Sequence, residues 1–185
     1  MKLAQFIREQ NLSSEEVVFF GGSFHPWHEG HSECIRLLPL EKNLIVLPDH
    51  NPQKKMVTSQ YKLSGIEEIQ NELSKIKRKT YLYEGFWLLD KINPTVEWVK
   101  ELKKEEPQVK VSLLMGFDSF EKIHTWNEAT TLLDSLYALY VVSRLESPQQ
   151  KEICSQSIRE IAPKLRIHFL GNHPFEHLSS TALRE

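Results

Sequence analysis

The stretch Val17-Val18-Phe19-Phe20-Gly21-Gly22-Ser23-Phe24-His25-Pro26-Trp27-His28-Glu29-Gly30-His31 decides how the chain is read. Its first four residues form an apolar run of strand length, of the kind a sheet buries on both faces. Two glycines follow, and Ser32-Glu33-Cys34-Ile35-Arg36-Leu37-Leu38 then reads as the first turns of a helix. A strand, a glycine turn and a helix start make a ready anion site. Glycines let the backbone approach a phosphate, and a helix N-terminus offers unpaired N–H groups at the positive end of its dipole. His28 and His31, three residues apart, share a face of that first turn and aim over the strand's C-terminal edge. That geometry suits a polyphosphate.

Outward from this stretch, strands and helices alternate. The first strand covers 17–22, and others are expected at 43–48, 80–83, 110–116, 137–142 and 166–170. Helices are expected at 30–38, 60–76, 96–104 with Thr95 as cap, 127–134 and 148–161, and Ser179 or Ser180 caps a last helical stretch. The basic run Lys75-Ile76-Lys77-Arg78-Lys79 reads as solvated. Short apolar strands alternating with helices argue one α/β domain over 1–185, a doubly wound parallel sheet with helices on both faces. Such sheets bind ligands beyond the strand C-termini, where strand order reverses. Gly22-Ser23-Phe24, Gly116-Phe117-Asp118 and Gly171-Asn172 all follow strands, so the candidate chemistry collects on one edge.

Composition narrows the classes. The 185 residues suffice for one domain with a real core, and a net charge of -2 argues against a nucleic-acid partner. The two cysteines, Cys34 and Cys154, make no disulfide framework. The apolar part of residues 1–8 is too short for a secretory signal, and no run approaches the ~18 residues of a membrane span. A cytoplasmic protein without a membrane partner is expected.

Three motifs point to a known family. Gly22-Ser23-Phe24-His25-Pro26-Trp27-His28-Glu29-Gly30-His31 resembles the G-(S/T)-F-x-P-x-H-x-G-H motif of the nucleotidylyltransferases. The segment from Met115-Gly116-Phe117-Asp118 to Trp126 is similar to the G-x-D-x-(7)-W segment of the bacterial nicotinate mononucleotide adenylyltransferases. Leu178-Ser179-Ser180-Thr181-Ala182-Leu183-Arg184 resembles that family's I-S-(S/A)-T-x-I-R. Asn51-Pro52-Gln53-Lys54 and the helix start at Asn93-Pro94-Thr95 add weaker matches in the same order, so the resemblance spans about 17–185.

The resemblance implies a Rossmann-like HxGH nucleotidylyltransferase fold and adenylyl transfer. ATP and nicotinate mononucleotide would give a dinucleotide and pyrophosphate, with Mg2+ arriving on the ATP. The substrate phosphate is already an anionic nucleophile, so catalysis rests on alignment and charge stabilisation. His28 and His31 would donate to the ATP phosphates, with Arg184 as a clamp. Gly22 and Ser23 would line the substrate phosphate through backbone N–H groups, with Gly21 and Phe24 in the same substrate and ATP site, and Gly30 would keep the turn clear where phosphate approaches. Ser179, Ser180 and Thr181 would meet the triphosphate at the last helix start, and Lys54 is a further phosphate contact. Gly116 and Asp118 would hold the adenosine ribose. Trp126 would stack on the pyridine ring, and Thr95 is a substrate candidate that doubles as a cap.

The chain departs from the family pattern in places. His25 stands where aspartate is usual, which bears on how the mononucleotide phosphate or sugar is held, and His25→Asp is expected to raise activity. Gln53 replaces a histidine, and the chain stops at Glu185, where relatives usually continue. Nicotinamide mononucleotide or another small-molecule substrate is the enzymatic alternative, and a non-catalytic nucleotide-binding module is the alternative from another class. A histidine-bound transition metal lacks Cys or carboxylate partners at suitable spacing.

Overall fold

A computed structural model describes residues 1–49, 59–87, 89, 93–175, 177 and 178, with only the backbone described for 59–63. In chain order the elements are α1 (Leu3–Glu9), β1 (Glu16–Gly22), α2 (Glu29–Leu37), β2 (Asn43–Pro48), α3 (Ser59–Ser74), β3 (Thr80–Leu82) and α4 (Thr95–Glu105). They continue as β4 (Lys110–Gly116), α5 (Phe117–Phe120), α6 (Ala129–Ser135), β5 (Ala138–Val142), α7 (Pro148–Ile161) and β6 (Arg166–Leu170). A 3-10 turn, Ile123–Thr125, links α5 to α6.

The strands form one sheet in the order β3-β2-β1-β4-β5-β6, and all five pairings are parallel. Strand order reverses between β1 and β4, so the switch point lies beside Gly22 and Gly116. The apolar run of β1 explains why helices cover both faces. Val17 and Phe19 join one core with Leu3, Phe6, Val99, Leu102 and Leu132, while Val18 and Phe20 join another with Ile35, Leu38 and Ile69. Val17, Val18 and Phe19 have no exposed surface, and each such side chain contributes about 1.5–3 kcal/mol of burial.

Several boundaries move by a residue or two from the sequence expectation, and three differences are substantive. Helix α1 went unforeseen, because seven residues without a side-chain cap carry little local signal. It forms because Leu3, Ala4, Phe6 and Ile7 are buried in the first core. Thr95 is the first residue of α4 rather than its cap. Pro94 takes the cap position with φ -59°, and its carbonyl accepts the Glu97 N–H at 3.0 Å. The basic run after α3 is not uniformly solvated. Ile76 is buried, and the Arg78 guanidinium donates to the carbonyls of Leu38 (2.7 Å), Lys42 (2.7 Å), Ile35 (3.1 Å) and Pro39 (3.3 Å). It thereby ties together carbonyls at the end of α2 and in the turn that leads to β2. The last helical stretch at Ser179 or Ser180 lies outside the described residues.

At the opposite end of the strands, Glu16 of β1 ties in β4, β5 and Lys42, the residue just before β2. Its Oε1 accepts from Ser112 Oγ (2.9 Å) and Tyr140 Oη (2.8 Å), and its Oε2 accepts from Lys42 Nζ (2.7 Å). Burial pushes this carboxyl up, but the hydrogen bonds from Lys42, Tyr140 and Ser112 outweigh it and hold the group below the usual glutamate range. A folded pKa below the unfolded one stabilises the fold above the unfolded value of about 4.3, and that contribution is lost as pH falls through the folded value. Glu16→Gln is therefore expected to lower the denaturation midpoint at pH 7, with the gap to wild type narrowing below about pH 4. Melting curves from pH 3 to 7 check this, and a gap independent of pH would contradict it.

Candidate active site

The sheet's C-terminal edge opens into a cavity of about 400 Å³ at the switch point. Gly21, Gly22, Ser23, Phe24, His28, His31, Gly116, Asp118, Trp126 and Thr95 all line it. The structure thus brings together residues that the sequence spreads over a hundred positions. Lys54, Ser179, Ser180, Thr181 and Arg184 lie outside the described residues.

The histidine pair is built by the entry into α2. His28 occupies the N-cap in an extended conformation, and its carbonyl accepts the His31 N–H at 2.9 Å. The His28 N–H donates back to His31 Nδ1 at 3.3 Å. An Nδ1 that accepts is unprotonated, so the neutral His31 ring carries its proton on Nε2 and offers that donor. The two rings stack with centroids 3.7 Å apart at 23°. Beneath them sits an aromatic bed. Phe24 and Trp27 lie 5.0 and 5.2 Å from the His31 ring, and Trp27 Nε1–H donates to the buried Ser32 hydroxyl at 3.0 Å. Phe24 reaches this bed from a left-handed backbone (φ 44°) and is 2% exposed, so its ring supports His31 from below.

Burial, followed by the charges of Arg144 and His173, holds the His28 imidazole below the usual histidine range. Its Nδ1 is buried with no hydrogen-bond partner among the described residues. Nδ1 instead faces Gly30, where a Cβ would lie 3.0 Å from the ring and 3.5 Å from the Phe175 carbonyl. Gly30 does not line the cavity. The missing Cβ makes room for the His28 ring and for the chain crossing at Phe175. Cys34 also lines the cavity, but burial pushes its thiol up to about 12, so it is no nucleophile at neutral pH.

Trp126 lies at the end of the 3-10 turn and packs partly against the first core. It also lines a second, adjoining cavity of about 380 Å³ with Asp49, Asn93 and Thr95. An indole so placed offers surface to a flat ring. His25 departs from expectation, because it does not line the main cavity. A side chain outside the lining has little reach to the phosphates, so His25→Asp is expected to change turnover by less than about threefold. Steady-state kinetics check this, and a tenfold change in either direction would contradict it.

Sequence reasoning missed Asp49, Asn93, Ser119 and Arg144, all of which line the cavity. Asp49 and Arg144 follow the ends of β2 and β5 within two residues. The rule that ligands gather beyond strand C-termini could have found both. No motif marked them.

Residues 19–185 match the cytidylyltransferase-like family. The chain belongs to that family. This cytidylyltransferase-like protein is 31% identical over 175 residues to a protein of Leptospira interrogans named "Probable nicotinate-nucleotide adenylyltransferase", covering 90% of this chain and 82% of the relative. A Flavobacterium johnsoniae protein of the same name is 27% identical over 177 residues, covering 91% and 84%. Among solved structures, the Plasmodium falciparum nicotinic acid mononucleotide adenylyltransferase complexed with NaAD superposes with a TM-score of 0.67 at 22% identity. That match covers 91% of this chain and 82% of the other, and it bears out the doubly wound fold.

Proposed function

We infer that the protein is a nicotinate-nucleotide adenylyltransferase, which moves the AMP unit of ATP onto nicotinate mononucleotide and releases pyrophosphate. One observation carries this reading. A single cavity is lined both by the stacked His28–His31 pair at the start of α2 and by Trp126, in a chain 31% identical over 90% of its length to a relative of that name.

In the reaction, a phosphate oxygen of the mononucleotide attacks the α-phosphorus of ATP. The bond from that phosphorus to the oxygen bridging to the β-phosphorus breaks, and its electron pair leaves on pyrophosphate. The nucleophile is anionic from the start, so no general base is required. The protein must align the two phosphates and stabilise the charge that builds on the leaving group. His31 Nε2–H is the donor best fixed for this, with His28 stacked beside it. Gly21, Gly22 and Ser23 bring backbone to the mononucleotide phosphate. Gly116 and Asp118 hold the adenosine ribose, Trp126 stacks on the pyridine, and Thr95 closes the same corner. Lys54, Ser179, Ser180, Thr181 and Arg184 supply further phosphate contacts on the strength of the motifs alone.

Mg2+ fits the donor set. Among the described residues Asp49 and Asp118 are the carboxylates lining the cavity, which suits an ion held mainly by phosphate and water oxygens. Bound with ATP, it would neutralise phosphate charge. The reaction belongs in the cytoplasm, and no described helix is long and apolar enough to cross a membrane.

A coupled pyrophosphate assay with MgATP and each pyridine mononucleotide tests the reading. Release with nicotinate mononucleotide in excess of that with nicotinamide mononucleotide is expected. No release with either, from folded protein, would remove the enzyme and leave a nucleotide-binding module.

A further inference from the structure

Helix α1 precedes residue 19, where the match to the cytidylyltransferase-like family begins, yet it reaches the cavity through a file of aromatic rings. Leu3, Ala4, Phe6 and Ile7 bury its inner face in the first core. Its ion pairs add little. Lys2 Nζ lies 2.8 Å from Glu105 Oε1 and 3.1 Å from Glu101 Oε1, but the Lys2 and Glu101 side chains are mostly exposed, and water screens such pairs.

The firm contact is with Tyr83, the buried residue that follows β3. Its N–H donates to the Val46 carbonyl at 3.0 Å, which extends the pairing with β2 and fixes the root of the side chain. Its hydroxyl donates to the Met1 carbonyl at 2.9 Å. Burial, followed by the charge of Glu101, pushes the phenol up, so the hydroxyl keeps its proton at neutral pH and stays a donor. The ring meets Phe6 of α1 edge-on with centroids 5.4 Å apart, and it meets Phe86 at 5.0 Å. Gly85 makes this possible, because a Cβ there would stand 2.3 Å from Tyr83 Oη and 2.4 Å from Cζ. The ring crosses over the glycine with no room for a larger residue.

From Phe86 the file continues to Trp98 of α4 at 6.1 Å, and Trp98 packs on Phe19 of β1 at 5.1 Å. Phe86 and Trp98 line the main cavity, whereas Phe6 and Tyr83 line neither it nor the adjoining cavity beside Trp126. Thr95, one turn before Trp98 on α4, lines both cavities together with Trp126. The wall that α1 backs is therefore the wall of the pyridine corner.

We propose that Tyr83 is a positioning residue for the mononucleotide: by clasping the start of α1 it sets Phe86, and through Phe86 the Trp98 and Thr95 face of α4, against the pyridine substrate. Close-packed side chains pass a displacement on rather than absorb it, so a loosened Tyr83 moves the rings that follow it. The histidine pair on α2 stands in the other core and is not part of this file.

This rests on the reading of the cavity as a site of adenylyl transfer, and the experiment separates the two. Steady-state kinetics and melting curves compare wild type, Tyr83→Phe and Phe6→Leu. Tyr83→Phe keeps the ring and removes only the grip on Met1. It is expected to raise the KM for nicotinate mononucleotide about three- to tenfold, while kcat and the KM for ATP move less than about twofold. Phe6→Leu, at a position that touches neither cavity, is expected to shift the same constant in the same direction. Should Phe6→Leu fail to fold, the near-isosteric Tyr83→Phe carries the test. An unchanged KM for the mononucleotide in Tyr83→Phe, whether or not the melting midpoint falls, would overturn the proposal, assign the contact to stability alone and leave the function standing. Equal rises in both KM values would also overturn it, because they would mean that the whole cavity loosens. Wild type that turns over no pyridine mononucleotide would overturn both.

Discussion

His31→Ala is expected to lower kcat about 10²- to 10³-fold while the melting midpoint and the affinity for MgATP change little. The scale is that of removing one preorganised donor from a site where charge develops in the transition state. The reason lies in how the ring is held. The His28 N–H fixes Nδ1 as an acceptor, so the neutral ring's proton stands on Nε2. Phe24, Trp27 and the stacked His28 ring hold the imidazole on several sides, so little reorganisation is needed when the phosphorus reacts. Pyrophosphate release at saturating substrates measures the effect. A loss within twofold would make the ring an ornament of the α2 entry. A loss of MgATP affinity as large as the loss of kcat would make it a ground-state binder instead.

The second large effect is at Trp126. Trp126→Ala is expected to raise the KM for nicotinate mononucleotide about 10- to 100-fold, since a ring stacked on an aromatic side chain contributes about 1–3 kcal/mol. The KM for ATP should move less than about threefold. The indole lines both cavities and leans on the core through its other side, so the contact is pre-positioned. Equal losses for both substrates would assign Trp126 to packing, and a fall in the melting midpoint would accompany them. Trp126→Phe, which keeps a flat face, should recover most of the affinity.

Much of the fold was legible because the apolar strands are short, bounded and buried on both faces. Val17 to Phe20, Leu44 to Leu47 and Val111 to Met115 could hardly lie anywhere but in a doubly covered sheet. Helix α1 was not legible, since its stability comes from burial against distant residues rather than from its own seven. Tertiary pairing also redirected Arg78, whose role depends on where the end of α2 falls. The site divides in the same way. His28, His31, Gly116, Asp118 and Trp126 sit in motifs whose spacing carries chemistry. Arg144 and Asp49 become visible only when strand ends are brought side by side. Gly30 shows a subtler limit. Its identity was readable from the motif, but its reason was not, because the atoms it accommodates belong to His28 and Phe175.

A crystal structure of the protein with deamido-NAD bound tests the central claim most directly. The pyridine ring is expected flat against the Trp126 indole at roughly 3.5–4 Å, with the bridging phosphates within hydrogen-bonding reach of His31 Nε2. A dinucleotide whose pyridine lies away from Trp126, or whose phosphates sit far from the start of α2, would contradict it.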